Sequence, residues 1–249
     1  MHMFRHQGED RETMEFAKNT AYGLHNRFHG MKVISDLEIA QTLHLPNECE
    51  ELQLLMMKYE CAMTEMITKL EVLSSEMSLK FQRNPFESIR CRLKSPQSIY
   101  DKLCSHGYEV SYQSIRDNLN DIAGVRVVCS FIDDIYLLAS TLKMQDDLLV
   151  IQEKDYIIQP KNNGYRSLHL IVMVPIFLMK EKEYMKVEVQ FRTIAMDFWA
   201  SLDHQLKYKR ADIADADAIS EEMKISAELV SQLDNHMLQI RERIDAGEK

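Results

Sequence analysis

The sequence predicts an α+β protein, in which a mixed sheet of four or five strands is flanked by helices and extended at both ends by amphipathic helices. The 249 residues include only 7 glycines and 5 prolines but 16 methionines, a balance typical of helix-rich proteins. A long helical pattern comes first, strand and helix patterns then alternate, and another helical pattern comes last. The apolar content of 45% is enough for a substantial core.

Charge and cysteine content disfavour several classes of protein. The net charge of −9 argues against non-specific binding to nucleic acid or another polyanion. The five cysteines are widely spaced without a Cys-x-x-Cys pair, which disfavours a zinc knuckle and indicates a reduced, cytoplasmic location. The chain has no signal-peptide pattern and no apolar run near the roughly 18 residues of a membrane span. We therefore expect a soluble, cytoplasmic protein.

Residues 1–46 are expected to form an N-terminal extension that is partly helical or disordered. Within it, residues 11–28 can form one amphipathic helix. His25 and His29 lie four residues apart, a spacing that can hold a metal ion on one helical turn. No third ligand is apparent nearby, so two surface histidines are the better explanation.

Residues 47–81 carry the strongest helical pattern. Asn47 can cap the helix at its start, and Asn84-Pro85 breaks the pattern after its end. Apolar residues recur in steps of four and three and form a continuous stripe: Leu52, Met56, Tyr59, Met63, Met66, Leu70, Leu73 and Met77. Methionines at this spacing are usually core residues, and we assign them to the core.

Residues 86–93 form the first predicted strand, and a short helix follows it. The period of two along a strand places Arg90 and Arg92 on one face. Ser95-Pro96 is a helix start, with serine at the cap and proline at the first helical position. We expect this helix to end near residue 104.

The start of this short helix is a candidate phosphate site. Ser98 and Lys102 lie four residues apart and share a face close to the helix N-terminus. A helix N-terminus with a hydroxyl and a lysine, beside Arg92 and Lys94 of the preceding strand, suits a polyphosphate. Basic residues on a short helix are commonly only solvated, so that alternative stays open.

Strand and helix patterns alternate through the rest of the chain. A short helix within residues 111–121 leads into a β-branched strand ending at Cys129, and Gly124 lets the backbone pass closely at its entrance. Further predictions are a helix over 133–144, a strand over 148–158, a helix from 194 to about 209 and an acidic linker over 211–217. The last helix carries an apolar seam: Met223, Val230, Leu233, Met237, Ile240 and Ile244.

Polar residues gather in one loop and in the strand patterns that follow it. The turn signal Asn162-Asn163-Gly164 places Tyr165 beside a cation, a hydroxyl and an imidazole. In the later strand, the period of two puts Glu188, Gln190 and Arg192 on one face. An ordinary strand with a solvated polar face could look the same. However, if the two runs are neighbouring strands, they assemble the parts of a nucleotide site.

Two carboxylates from separate strands, Asp121 and Glu188, can converge at one end of the sheet. Carboxylates brought together either share a proton or hold a divalent cation. Magnesium with phosphates is the more economical explanation, because basic residues surround the pair: Arg92, Lys94, Lys102, Arg126, Lys161 and Arg166. Scattered surface ion pairs are the alternative. The common glycine-rich phosphate loops are not present in the sequence.

Four motifs in order carry a resemblance to a known family. They are Arg92-x-Lys94-Ser95-Pro96-x-Ser98-Ile99-x-x-Lys102-Leu103, Asp121-Ile-Ala-Gly-x-Arg126, Gly164-Tyr-Arg-Ser-Leu-His169 and Glu188-x-Gln190-x-Arg192-Thr193. Together they resemble the synthetase domain of the RelA/SpoT-homologue family, and most closely its small single-domain alarmone synthetases. The resemblance covers roughly residues 50 to 210. It implies a nucleotidyltransferase-like sheet and transfer of a pyrophosphoryl group from ATP to the 3′-hydroxyl of GDP or GTP, with release of AMP.

The resemblance implies roles for the residues on the ATP side. Arg92 and Arg126 would sandwich the adenine. The phosphates would be held at the helix N-terminus by Lys94, Ser98 and Lys102.

For catalysis, the resemblance implies that Asp121 and Glu188 bind Mg²⁺ and that Glu188 takes the proton from the attacking hydroxyl. Tyr165 would stack on guanine, and Gln190 would orient the acceptor ribose. The remaining implied acceptor contacts are Lys161, Arg166 and His169 with the phosphates, and Asp197 on the guanine side, at a position where many relatives carry Asn or His.

The resemblance also implies an organisation for the whole chain. We expect a catalytic domain over 47–210 and a C-terminal helix over 211–249 that assembles copies into a homotetramer. We expect synthesis of the alarmone without its hydrolysis, and no contact with membrane, ribosome or double-stranded nucleic acid. The alternatives are transfer to another acceptor, such as an adenosine nucleotide or a tRNA 3′ end, and a catalytically silent nucleotide-sensing module. The sequence does not determine the preference among GDP, GTP and GMP.

Overall fold

A computed structural model describes residues 49–207 and 216–247 of the chain. The predicted N-terminal extension with its two histidines, the cap at Asn47 and most of the acidic linker lie outside these residues. Within them, no helix is long and apolar enough to cross a membrane. The helices and strands, in order, are α1 (Cys49–Phe81), β1 (Phe86–Leu93), α2 (Pro96–Ser105), α3 (Tyr112–Asn118), β2 (Ala123–Cys129), α4 (Ile132–Lys143), β3 (Leu149–Asp155), β4 (Leu168–Phe177), β5 (Lys182–Thr193), α5 (Ile194–Lys207) and α6 (Ala216–Asp245).

The strands form one mixed sheet in the order β1-β2-β5-β4-β3. Strands β2 and β5 are parallel, and the other neighbouring pairs are antiparallel. The predicted α+β class is therefore confirmed, with five strands. The two strands that carry the predicted acceptor motifs, β4 and β5, are neighbours, as the sequence indicated.

The long helix α1 covers the apolar face of the sheet. Its predicted stripe is the buried side of the helix, and Tyr59, Met66 and Leu70 are among its most deeply buried residues. Alternation along the strands places Val189 of β5 and Val127 of β2 in the same core. The opposite, polar face of the sheet is thereby left to form the site.

Two strands differ in length from their predictions. The predicted strand over 148–158 ends at Asp155, because the side chain of Asp155 accepts hydrogen bonds from the backbone amides of Ile157 and Ile158 at 2.9 and 3.0 Å. These bonds turn the backbone out of the sheet. Strand β5 begins five residues earlier than its predicted core of 187–192, at Lys182, because its hairpin with β4 extends to the pair Phe177 and Lys182.

The last helix, α6, turns only part of its apolar seam inward. Ala227 and Asp234 are buried and Met223, Val230 and Ile240 of the seam are half-buried, whereas the rest of the seam is exposed: Leu233, Met237 and Ile244. The small side chain of Ala227 allows close packing, and Asp234 accepts a hydrogen bond from Thr193 Oγ1 at 2.6 Å. Helix α6 therefore packs on the rest of the protein through a small residue and a specific hydrogen bond as well as through half of its seam.

Candidate active site

The polar face of the sheet forms the floor of a cleft of about 920 Å³. Strand register sets two rows of cross-strand neighbours across all five strands. The first row is Arg90, Arg126, Gln190, His169 and Lys154. The second row is Arg92, Gly124, Glu188, Ile171 and Gln152. Because paired residues in a sheet point to the same side, the rows bring residues from distant motifs into one surface.

The lining of the cleft is basic although the whole chain is acidic. Six lysines and arginines line it against three carboxylates, in a chain whose net charge is −9. The cations are Arg92, Lys102, Arg126, Lys154, Lys161 and Arg192, and the carboxylates are Asp121, Glu188 and Asp203. A concave surface of this charge attracts a small polyanion such as a nucleotide.

Asp121 lies just before β2 and is held by two lysines. Lys94 Nζ contacts its Oδ2 at 2.6 Å, and Lys102 Nζ contacts its Oδ1 at 2.8 Å. Burial raises the pKa of Asp121, but the hydrogen bonds from Lys102 and Lys94 outweigh it, so the pKa lies below its usual value. The carboxylate is therefore ionised, and it neutralises two lysines that are predicted to hold phosphates.

Glu188, at the centre of the second row, is held by two neighbours. Its Oε1 lies 3.0 Å from His169 Nδ1, and its Oε2 accepts from Gln190 Nε2 at 2.9 Å. Burial and the charge of Asp121 raise the pKa of Glu188, but the bonds from His169 and Gln190 outweigh them and lower it. Glu188 is thus an ionised carboxylate close enough to Asp121 to respond to its charge. Such a pair can hold a divalent cation or accept a proton.

A chain of hydrogen bonds runs from Arg192 to Glu188. Arg192 Nη2 donates to the hydroxyl of Tyr165 at 2.8 Å, and that hydroxyl lies 2.9 Å from His169 Nε2. Since His169 Nδ1 contacts Glu188, a neutral imidazole that accepts at Nε2 and donates at Nδ1 satisfies every member. The chain fixes the ring of Tyr165 at the cleft wall.

Aromatic rings and a lysine gather at the same end of the cleft. The ammonium group of Lys161 lies 4.6 Å from the ring centre of Tyr156 and 4.9 Å from that of Tyr165. The Tyr156 and His169 rings meet edge to face at 5.3 Å between centres. A stacking ring beside a cation is suited to a purine base with attached phosphate.

Asp197 of α5 lies beneath this surface and binds three arginines. Arg192 Nη1 and Arg126 Nη1 contact its Oδ1 at 2.9 and 3.2 Å, and Arg90 Nη1 contacts its Oδ2 at 3.5 Å. Burial lowers the pKa of Arg126, and the charges of Arg192 and Arg90 lower it further. One carboxylate therefore orients side chains from strands β1, β2 and β5.

The structure brings most of the predicted site residues together. Nine of them line the cleft: Arg92, Lys102, Asp121, Arg126, Lys161, Tyr165, His169, Glu188 and Gln190. The other four lie at its margin or beneath it. Lys94 is bonded to Asp121, Ser98 to the Ser95 cap of α2, Arg166 to Glu228 of α6, and Asp197 to the three arginines. The individual roles remain predictions.

Several residues that line the cleft were not predicted to do so. Gln152 and Lys154 could have been found, because they lie two apart on a predicted strand and so share a face. Arg192 was placed on the correct face but given no role. Asp203 and His204 of α5 also line the cleft. They carry no local signal, because only the packing of α5 against the sheet brings them there.

Comparison with known proteins identifies the family of this chain. Residues 91–213 match a family described as the region found in RelA/SpoT proteins. Over 210 residues, the chain is 41% identical to GTP pyrophosphokinase YwaC of Bacillus subtilis, covering 84% of this chain and 100% of that protein. The chain belongs to the RelA/SpoT family. The resemblance found in the four motifs is thereby confirmed.

Two solved structures from the RelA/SpoT family have similar folds. The small alarmone synthetase 2 of Bacillus subtilis matches with a TM-score of 0.69 and 41% identity, covering 78% of this chain and 99% of that one. The small alarmone synthetase 1 of the same organism, bound to its product pppGpp, matches with a TM-score of 0.70 and 30% identity, covering 79% of this chain and 99% of that one.

Proposed function

We propose that this protein is a (p)ppGpp synthetase that transfers the β,γ-pyrophosphoryl group of ATP to the 3′-hydroxyl of GDP or GTP and releases AMP. The observation that carries the proposal is the position of Asp121 and Glu188. Both are ionised carboxylates in one cleft, between an arginine-rich end and an aromatic end. The similar GTP pyrophosphokinases and the product-bound relative support the same reaction.

On the ATP side, Arg92 and Arg126 would stack on the adenine, which a planar guanidinium does better than an ammonium group. The phosphates would bind Lys94 and Lys102 and replace the carboxylate of Asp121 as their partner. This exchange would free Asp121 when ATP arrives. Ser98 would add a hydroxyl at the N-terminus of α2, where the helix dipole favours negative charge.

The two carboxylates fit Mg²⁺. Within residues 49–207 and 216–247, no cluster of three or more His, Cys, Asp or Glu forms an all-protein metal centre. Mg²⁺ commonly binds one or two carboxylates together with substrate phosphates, and Asp121 and Glu188 supply such a pair. When bound, the ion would neutralise charge on the transferred phosphates.

On the acceptor side, Tyr165 would stack on guanine, and Asp197 would contribute on the guanine side. Lys161 and His169 would contact the phosphates. Arg166, for which the resemblance implies the same role, does not line the cleft and instead donates to Glu228 of α6. Gln190 would orient the ribose.

Glu188 would then accept the proton of the 3′-hydroxyl. The 3′-oxygen forms a bond to the β-phosphorus of ATP as the bond from the β-phosphorus to the α–β bridging oxygen breaks. AMP leaves with that electron pair.

We also propose a homotetramer in the cytoplasm, with a catalytic domain over 47–210 and an assembly helix over 211–249. Exposed apolar side chains support the assembly. We call those on α6 the outer stripe: Ile225, Leu229, Leu233, Met237 and Ile244. Helix α1 also exposes Leu54, Val72 and Leu79. A second copy of the chain is the proposed occupant of these surfaces.

The reaction is tested by product analysis of the purified protein with ATP, GDP and Mg²⁺. We expect AMP and ppGpp in equal amounts from the wild type. Glu188→Gln should abolish both products while nucleotides still bind, because it removes the base and a metal ligand but keeps the side-chain shape. Glu153→Gln, which changes an exposed carboxylate paired with Lys143, is the matched control and should remain active.

A wild type that releases no AMP with any guanine nucleotide would contradict the proposal. Competition with an adenosine nucleotide and with a tRNA 3′ end tests transfer to other acceptors. The same assay with GDP, GTP and GMP in turn determines the preferred acceptor.

A further inference from the structure

The loop that carries Tyr165 lies directly on helix α6. Gly164 has a φ of +88°, a backbone angle that residues other than glycine rarely adopt. A Cβ atom at this position would lie 2.6 Å from Ala227 Cβ and 3.4 Å from Lys224 Cα. Loop and helix therefore touch as closely as their backbones allow, and both a glycine at 164 and a small residue at 227 are required.

Arg166, two residues further along the same loop, binds α6 through an ion pair. Its Nη2 donates to Glu228 Oε2 at 2.7 Å, and its Nη1 donates to the backbone carbonyl of Ile157 at 3.2 Å. The side chain is only 15% exposed, and it does not line the cleft. Because the Arg166 guanidinium binds both α6 and the turn at Ile157, it holds the loop between them.

A second contact fixes α6 close to the same region. Thr193 Oγ1 donates to the buried carboxylate of Asp234 and accepts from the backbone amide of Met196. This bond anchors α6 at the junction of β5 and α5, next to Arg192. Helix α6 lies beyond residue 213, where the match to the family ends. Its contacts with the loop are therefore additional to the matched region.

We propose that α6 holds the acceptor-binding loop in place from outside the cleft. Arg166, Glu228 and Ala227 are then positioning residues for this loop. In this role Arg166 acts on Tyr165 and Lys161 through the loop and does not bind phosphate itself. The inference rests on one part of the proposed function, namely that a guanine nucleotide binds as the acceptor at the Tyr165 end of the cleft.

The first test is Glu228→Ala, which removes the partner of Arg166 at a side chain that is 57% exposed. We expect the KM for GDP to rise about fivefold to tenfold, because a charge-assisted bond that orders the loop is lost. The KM for ATP should not change. If Arg166 were a phosphate ligand, release from Glu228 would leave the KM for GDP unchanged or lower it, and that result would overturn the proposal.

Glu222→Ala is the matched control for Glu228→Ala. Glu222 is an exposed acid on α6, six residues before Glu228. Its substitution should leave both KM values unchanged. Equal increases in the KM for GDP from both substitutions would indicate a general charge effect and would contradict the proposed role.

The second test changes the packing instead of the charge. Ala227→Leu adds side-chain volume where Gly164 already lies in contact, so the loop must move. We expect the same rise in the KM for GDP with an unchanged KM for ATP. Ala227→Gly, which leaves the space open, should keep the KM for GDP. Thermal unfolding and the unchanged KM for ATP show that each variant is folded.

A charge exchange separates the two roles of Arg166. Arg166→Glu alone should weaken GDP binding, and Arg166→Glu combined with Glu228→Arg should recover at least half of the loss, measured as the Kd for GDP by calorimetry. No recovery would show that Arg166 acts on the nucleotide itself and would overturn the positioning role. Because GDP binding is measured without turnover, this result is independent of whether the wild type releases AMP, which tests the proposed function.

Discussion

At the scale of single residues, the site depends on carboxylates whose charge is stabilised by hydrogen bonds. Glu188 receives hydrogen bonds from His169 and Gln190, and Asp121 receives a hydrogen bond from Lys94 and forms an ion pair with Lys102. The hydrogen bonds outweigh the cost of burial, so the pKa of each carboxyl lies below its usual value. Both groups are therefore charged at neutral pH.

The low pKa of Glu188 makes its contribution to stability depend on pH. A carboxyl whose pKa is lower in the folded than in the unfolded state stabilises the fold above its unfolded value of about 4.3. That stability is lost as the pH falls through the folded pKa. We expect Glu188→Gln to lower the free energy of unfolding by about 1 kcal/mol at pH 7. The difference between wild type and variant should narrow as the pH falls below about 4.

Urea unfolding of both proteins at several pH values between 7 and 3.5 measures this difference. The other carboxyls titrate in both proteins, so their effect on the free energy of unfolding cancels in the difference. A difference that stays constant over the whole range would show that the charge of Glu188 does not stabilise the fold.

Asp197 shows how one residue can serve both halves of the site. It binds Arg126, which is predicted to stack on adenine, and Arg192, which donates to the hydroxyl of Tyr165. The sequence resemblance places Asp197 on the guanine side only. In the structure it also contacts Arg126, which belongs to the predicted ATP side, because α5 follows β5 directly and packs against β2 and β5.

At the scale of helices and strands, α1 and the sheet stabilise each other by burying their apolar faces together. The stripe of α1 is buried against the apolar face of the sheet, and this leaves the polar face for the cleft. The helix has 33 residues, and its methionines and leucines fill the space over several strands. Burial of a continuous stripe, more than helix propensity, stabilises a helix of this kind.

Leu70→Ala tests this packing at a fully buried position of the stripe, where the side chain is 0% exposed. We expect the free energy of unfolding to fall by about 2 to 5 kcal/mol, because the substitution leaves a cavity between α1 and the sheet. Glu65→Ala, at an exposed position of the same helix outside the proposed assembly surfaces, is the control and should change it by less than about 0.5 kcal/mol. Urea unfolding gives both values. Equal effects would show that the stripe is not the stabilising face.

At the scale of the whole molecule, α6 joins the proposed acceptor site to the proposed assembly surface. Its inner face contacts Gly164, Arg166 and Thr193. Its other side exposes the outer stripe. A second copy that covers the outer stripe would hold α6 in place and, through it, the loop at Tyr165. Assembly and acceptor binding would then be linked.

Leu233→Asp tests the assembly at the centre of the outer stripe, where the side chain is 52% exposed. Light scattering after gel filtration should give the mass of four copies for the wild type and a smaller mass for the variant, because a charge is buried without a partner in the interface. Gln239→Asp adds the same charge to α6 away from the stripe and should leave the mass unchanged. A wild type of monomer mass would contradict the proposed assembly.

Local chemistry explains which features could be predicted from sequence. Ser95-Pro96 marks the start of α2 because capping depends only on adjacent residues. The stripe of α1 and the faces of β5 follow from the periods of helix and strand. Asp121 and Glu188 were expected to converge because they belong to separate predicted strands with basic residues around them, and the pairing of β2 with β5 brings both into the cleft. These predictions succeed because each depends on short-range geometry or on a recognisable motif.

The tertiary structure alone decided which distant segments contact these helices and strands. The sequence determined that the chain would present carboxylates, cations and an aromatic ring on one sheet face. It did not determine that Arg166 faces α6, that Asp197 binds three arginines, or that α6 buries Ala227 and Asp234 while half of its apolar seam stays exposed. Those outcomes depend on contacts between segments that are distant in sequence. Side-chain size and hydrogen bonding across such contacts leave no periodic signal along the chain.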